Sequence, residues 1–222
     1  MRGRAVKLQT LLLDLIYPPR CAFCRRFVDN GEIFICDDCL RSLPYTSGGG
    51  RQKADFVTAC VSPLYYEGDV RESLLRYKFH GATGYAKAYA PLVADCIRGE
   101  LAGEYDIISW VPISRKRLRG RGYDQARLLA EAVAKQLHTT ARPTLKKVVH
   151  TQPQSGTGSA EKRRANIAGA YQVLDPAAIA DKRVLLLDDI VTTGSTLSEC
   201  ARTLGLAGAE QVVCASVARA RD

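Results

Sequence analysis

Residues 184–196 read Val-Leu-Leu-Leu-Asp-Asp-Ile-Val-Thr-Thr-Gly-Ser-Thr, and no other run limits the fold of this chain so much. Val184 to Leu187 form an apolar stretch suited to a central strand covered on both faces. Asp188 and Asp189 follow where such a strand emerges from the core. Thr192, Thr193, Gly194, Ser195 and Thr196 then make a turn that opens into a helix. A helix start presents unpaired backbone N–H groups and a positive dipole end, the hydroxyls add donors, and the glycine lets a ligand approach closely. Paired carboxylates just before it suit ribose hydroxyls or a hydrated divalent cation. Together the parts describe a site for a sugar 5′-phosphate, with the phosphate on the turn and the sugar on the strand side. An ordinary buried strand and N-capped helix accounts for Val184 to Leu187 but not for the acid pair.

The surrounding pattern fixes the fold class. Residues 107–111, 145–149, 184–187 and 212–217 read as strands, with helices expected over 124–137 and 195–206. Strands alternating with helices predict an α/β fold with a parallel sheet flanked by helices and ligands at the carboxyl ends of the strands. Upstream, 56–66 reads as a strand, and 70–79 and 85–97 as helices. A Gly48-Gly49-Gly50 linker suggests three parts: a module over 1–50, connecting elements that would serve as a hood over 51–104, and a core over 105–222. No Walker A string and no complete G-x-G-x-x-G after a strand occurs, which disfavours simple ATP or NAD use.

Four of the eight cysteines fall as Cys21-x2-Cys24 and Cys36-x2-Cys39, with eleven residues between the pairs. Two such knuckles present four thiolates, enough to complete a tetrahedral shell around structural Zn2+. An iron–sulfur cluster or plain reduced thiols are the alternatives. Cys60, Cys96, Cys200 and Cys214 read as small buried hydrophobes. Arg2, Arg4 and Lys7 followed by Leu11, Leu12, Leu13, Leu15 and Ile16 superficially match a signal peptide, but Asp14 interrupts the run and no small-x-small cleavage site follows. An amphipathic helix ending at Pro18-Pro19 explains them. A thiol metal site needs a reducing compartment, so a cytoplasmic protein without membrane insertion is expected.

The charge is concentrated. The net formal charge is +9, yet residues 110–170 alone hold 13 basic and 3 acidic side chains, giving +10. Such a segment suits phosphate, polyphosphate or nucleic acid, or is merely a solvated basic surface. Residues 150–169 lack hydrophobic periodicity and read as a loop.

The thirteen residues from Val184 to Thr196 resemble the phosphoribosyl pyrophosphate (PRPP) signature of type I phosphoribosyltransferases. That resemblance implies a Mg2+-dependent PRPP site. Asp188 and Asp189 would hold the ribose diol, and Thr192 to Thr196 the 5′-phosphate. It also maps a pyrophosphate loop onto Val111 to Arg117, with Ser114 and Arg115 the first candidates and Lys116, Arg117, Arg119 and Arg121 as further cations for the leaving group, and a flexible flap onto 151–166, including Gln154, Ser155 and Arg163. The order LLDLIYPPRCAFC, CDDC, KFHG, RLRGRGYDQA, TQPQSG, RRANIAGAY and LLLDDIVTTGST further resembles the competence protein F (ComF) family over nearly the whole chain. This implies an N-terminal zinc ribbon, a phosphoribosyltransferase-type core and a link to DNA uptake in natural transformation. A non-catalytic protein that senses PRPP or handles single-stranded DNA is the alternative, and a competence helicase or other DNA-processing protein is a partner compatible with both. Ser114 stands where the family often has proline, and Tyr123-Asp124 where it commonly has Phe-Asn. Thr192 replaces the carboxylate that assists the base in purine-salvage relatives, so hypoxanthine or guanine salvage is not expected. Lys78 and His80 read as favourable last-turn residues of a helix stopped by Gly81.

Overall fold

The computed structural model describes residues 18–28, 34–148 and 169–221, which fall into two compact units, 1–43 and 44–222. The expected N-terminal amphipathic helix and the flap residues Gln154, Ser155 and Arg163 lie outside the described residues. In the first unit, Cys21, Ala22, Phe23, Ile35, Cys39 and Leu43 are buried. One short helix, α1 (Asp37–Ser42), carries Asp37 and Asp38 in its first turn and Arg41 in its last, as the helix dipole favours.

The second unit is an α/β layer structure. Its elements run β1 (Gln52–Ala54), β2 (Val57–Val61), β3 (Leu64–Tyr65), α2 (Gly68–Phe79), α3 (Tyr85–Glu100), β4 (Ile107–Trp110), α4 (Arg115–Arg121) and α5 (Gln125–Gln136). They continue with β5 (Leu145–Lys147), β6 (Tyr171–Val173), β7 (Arg183–Val191), α6 (Ser195–Leu206) and β8 (Gln211–Arg219). Among the described residues one six-stranded sheet has the order β1-β2-β8-β7-β4, with β3 also on β8. All its pairings are parallel except β1 with β2. Val184 to Leu187 and Val212 to Ala215 are buried, as expected for inner strands covered on both faces. Side chains alternate along β7, so Val184 and Leu186 join Leu197, Cys200, Ala201 and Leu204 of α6 in one cluster. The opposite face is covered by α5, which contacts β7 and β4, with α3 against α5 and β8.

Three local expectations change. The strand expected at 145–149 is not part of the main sheet: β5 pairs antiparallel with β6, Lys147 opposite Tyr171, as a separate two-stranded ribbon. Period-2 reasoning identifies a strand but not its partner. Second, 56–66 is not continuous, because Pro63, which has no N–H to give a ladder, separates β2 from β3. Ser62 Oγ meets Ser216 Oγ at 2.7 Å across that break. Third, Gly48-Gly49-Gly50 is built into the second unit as a tight turn, Ser47–Gly50, with Gly48 and Gly49 in the left-handed region. Ser62 N–H donates to Gly49 O at 2.8 Å. Gly50 has φ +61°, and a Cβ there would lie 2.8 Å from Ser62 O, so close backbone packing requires the glycine.

Candidate functional site

In the first unit the Cys21, Cys24, Cys36 and Cys39 sulfurs all lie within 4.8 Å of one another. Zn–S bonds of about 2.3 Å at tetrahedral angles separate sulfurs by about 3.8 Å, so this donor set fits Zn2+ with no position open to substrate. Cys36 N–H donates to Cys21 Sγ at 3.4 Å. Arg26, which the spacing argument did not single out, directs Nε at Cys24 Sγ (3.5 Å) and Nη2 at Cys36 Sγ (3.8 Å). Asp38 holds Arg26 at 2.8 Å and Arg41 at 2.9 Å. Against burial, which raises it, Arg26 draws the Cys24 thiol down to about 6. All eight cysteines are free of disulfides. Cys60, Cys200 and Cys214 are buried, as expected, and burial pushes their thiols up.

In the second unit a pocket opens where β4 stops and β7 continues. Val111 N–H closes the ladder on Leu187 O at 2.9 Å, after which Pro112 leads the chain away. Asp188 and Asp189 therefore sit at the carboxyl end of β4, in the crevice where open α/β sheets bind ligands. The pocket measures about 320 Å3, and its lining includes Asp188, Asp189, Thr192, Thr196, Lys78 and Arg117. It also reaches Arg121, Lys147 and Tyr171. Beside it a small hollow of about 40 Å3 is lined by Asp188 and the whole turn from Thr192 to Leu197. Gly194 forms the N-cap of α6 at φ 68°, with no side-chain cap, so the first-turn amides remain available to a ligand. Thr193 Oγ1 and Ser195 Oγ lie 2.9 Å apart.

The two acids face different surroundings. Strand alternation places Asp189 with Leu185 and Leu187 and Asp188 with Val184 and Leu186. Asp189 is nearly inaccessible, its side chain 3% exposed, and Lys78 Nζ lies 3.1 Å from Oδ2. Lys78 also donates to Oδ1 at 3.4 Å, while Oδ2 receives no hydrogen bond in line. Asp188 Oδ1 accepts from Asp189 N–H at 2.8 Å. Burial, then the charge of Asp189, raises the Asp188 carboxyl well above its ordinary value, with Lys78 opposing. Lys78 itself is raised, chiefly by Asp189. Lys147, which donates to Tyr171 Oη at 3.1 Å, is lowered by burial and by Arg117.

Ser114, Arg115 and Lys116 stand apart from the acids. They line a neighbouring cleft of about 720 Å3 that also contains Trp110, Tyr123 and Arg127. Ser114 is the N-cap of α4 and accepts from Arg117 N at 3.3 Å. Pro112, Ile113 and Lys147 border both spaces. Asp124 fixes the loop between them by accepting from Ile113 N (3.1 Å) and Arg127 N (3.2 Å). Thus α4 turns Arg117 and Arg121, from the same basic run, toward the acid pair. Sequence reasoning gave Lys78 only a helix-terminal role, and Lys147 and Tyr171 none. Its single pointer to Lys78 was the KFHG resemblance.

Residues 124–222 match the phosphoribosyl transferase domain family and residues 12–49 the double zinc ribbon domain family. Competence protein F of Haemophilus influenzae is 30% identical over 223 residues, spanning 90% of this chain and 97% of that protein. The chain belongs to the competence protein F family. Other relatives include competence protein ComFC of Bacillus subtilis, 26% identical over 63% of this chain and 55% of that protein. DNA utilization protein YhgH of Escherichia coli K12 is 32% identical over 48% of this chain and 46% of its own length. A solved glutamine PRPP amidotransferase from B. subtilis is 19% identical, with TM-score 0.43 over 63% of this chain and 30% of that chain. The chain thus joins a four-cysteine zinc ribbon to a phosphoribosyltransferase-type domain. Among the described residues no helix is long and apolar enough to cross a membrane.

Proposed function

We propose that this ComF-family chain binds PRPP, or another ribose 5-phosphate compound, and transfers the ribosyl group with release of pyrophosphate. The supporting observation is convergence: two acids, Arg117, Arg121 and Lys147 line one pocket, and the hydroxyl-ringed helix start lines the hollow beside it, with Asp188, Thr192 and Thr196 common to both. In the reaction the bond from ribose C1 to pyrophosphate breaks, its electron pair leaves with pyrophosphate, and an acceptor nucleophile bonds C1 and sheds a proton. The α6 amides and Thr192 to Thr196 hold the 5′-phosphate, and Asp188 and Asp189 accept from ribose hydroxyls. Arg117, Arg121 and Lys147 stabilise the departing negative charge, and the carboxylates favour the positive charge that develops on the sugar.

Mg2+ fits the donor set, since Asp188 supplies a hard carboxylate beside the ligand pocket and Mg2+ is usually held by one or two carboxylates plus substrate phosphates. Bound there, it would neutralise pyrophosphate. Calorimetry of PRPP with Mg2+ tests the reading. Asp188→Ala with Asp189→Ala should abolish binding while the zinc unit stays folded, and unchanged affinity would remove the proposal. Phosphorus NMR with a panel of bases, amines and DNA ends would detect pyrophosphate released faster than in buffer, and so distinguishes turnover from binding.

A second reading has its own support in the 720 Å3 cleft, where Trp110, Tyr123, Arg115, Lys116, Arg127, Lys146 and Lys147 combine rings with cations. Such a lining suits a single-stranded nucleic acid backbone, and the names of the relatives point to competence and DNA utilization. We place the protein in the cytoplasm, where thiols stay reduced, acting in DNA uptake alongside a helicase or other DNA-processing protein.

A further inference from the structure

We propose that Lys78 is the positioning residue of this site: its ammonium holds Asp189 ready as the acceptor for a ribose hydroxyl, so the KFHG and RGYDQ segments form one sugar-selecting device. The inference rests on the sugar-phosphate reading above and adds a residue that neither the signature nor the family comparison assigns.

A carboxylate with a side chain 3% exposed is costly to keep charged without a partner, and that penalty is several kcal/mol in real proteins. Lys78 answers it from 111 residues away, with Nζ 3.1 Å from one oxygen and 3.4 Å from the other. A lysine has four flexible methylenes, so its ammonium is well placed only when its backbone is fixed. Here the flanking residues are clamped. Tyr77 Oη donates to Gln125 O at 2.6 Å, and Tyr123 Oη returns a bond to Tyr77 O. The Arg121 guanidinium lies over the Phe79 ring, 5.2 Å from its centroid, and the same side chain donates to Gln125 Oε1. Tyr77 packs edge-on against Tyr89 at 5.3 Å, which ties α2 to α3.

The simpler account, a cation satisfying the C-terminal dipole of α2, does not require any of this. That interaction is satisfied by a side chain near the last carbonyls, whereas Lys78 reaches into the pocket, lines it, and leaves its own side chain 28% exposed there. Asp189 also lines this pocket, and its buried Oδ2 has no in-line donor, an unfilled acceptor beside the space a ligand would occupy. Asp188 lies on the other side of the strand with Lys147 and Tyr171, so the two acids are not equivalent. Lys78 pairs directly with only one of them, Asp189.

The test compares wild type with Lys78→Met, Lys78→Gln and Lys78→Arg by calorimetry, using ribose 5-phosphate, its 2-deoxy and 3-deoxy analogues, and inorganic phosphate. Wild type should prefer ribose 5-phosphate to at least one deoxy analogue by about tenfold, the worth of one charge-assisted hydrogen bond. Lys78→Met and Lys78→Gln should reduce that preference to about twofold or less while binding inorganic phosphate as wild type does, and Lys78→Arg should keep most of it. Preserved preference in folded Lys78→Met or Lys78→Gln overturns the inference while leaving the pocket reading intact. Equal loss for all ligands, inorganic phosphate included, marks a structural role and overturns it too. If wild type binds no sugar phosphate, the pocket reading itself falls and carries this inference with it. Thermal denaturation of each variant identifies any that is not folded, and Lys78→Arg keeps the comparison decisive if both neutral variants unfold.

Discussion

At the residue scale, the acid pair is two different groups that happen to be adjacent. Asp189 is part of a buried ion pair, whereas Asp188 pays a burial penalty that Lys78 only partly offsets. Asp189→Asn should therefore weaken ligand binding and also lower stability by about 2 kcal/mol, because it leaves Lys78 without its partner. Asp188→Asn should weaken binding as much while changing urea-denaturation stability by less than about 1 kcal/mol. Glu199 offers a separate pH test away from the pocket. Its carboxylate holds Arg202 through two bonds of 2.8 and 2.9 Å and accepts from Gly169 N at 2.7 Å, and Arg202 lowers its proton affinity despite burial. A folded-state value below the unfolded one means that this contribution is complete above the unfolded pKa, about 4.3, and fades as pH falls through the folded value. Glu199→Gln should thus cost about 2 kcal/mol at pH 7 and progressively less below pH 4, read by denaturation across pH. The acids and the hydroxyl turn were legible in sequence because their chemistry is local. Lys78 was not, since nothing in a linear string pairs position 78 with position 189.

At the element scale, α6 begins at Ser195 and ends at Leu206, as the pattern predicted, because the glycine turn and the apolar stripe agree. β7 runs longer than its apolar segment, through Asp188 and Asp189 to Val191, because β8 continues to pair with it as far as Arg219. Hydrophobicity marks where a strand is covered, and the ladder alone shows where it ends. α4 escaped the sequence reading for a related reason: Arg115–Arg121 buries no residue and so carries no periodic signal. Its start is set by Ser114 and its end by Gly122 at φ 83°, which is how Arg117 and Arg121 come to face the acids while Arg115 and Lys116 do not. The turn before α6 allows a direct test. A Cβ at Gly194 would meet only Ala54 Cβ at 3.6 Å, so space is adequate and the positive φ is the obstacle. Gly194→Ala should destabilise by about 1 kcal/mol and reduce affinity for inorganic phosphate several-fold, because relaxing φ re-aims the first-turn amides.

At the scale of the whole molecule, the two units are held together internally by different means. The second has an extensive apolar core on both faces of its sheet, while the described residues of the first bury few side chains around four thiols. A module that small gains most of its folding free energy from its metal. The spacing of the cysteines alone marks this division, although Gly48 to Gly50 serve packing in the second unit rather than linking the two. Removing zinc should consequently unfold the four-cysteine module without melting the sheet. Chelator treatment is expected to expose Cys21, Cys24, Cys36 and Cys39 to thiol reagent and to open the first unit to protease. The thermal transition of residues 44–222 and its affinity for sugar phosphate should persist. Arg26 refines the expectation, since its guanidinium stands beside Cys24 and Cys36 and Asp38 orients it. Arg26→Ala should leave the ligand set intact yet weaken zinc retention about tenfold in a competition titration, as loss of a contact that orients metal ligands does. Unchanged zinc affinity in that variant would show that Arg26 neutralises only the free thiolates and contributes nothing once the metal is bound.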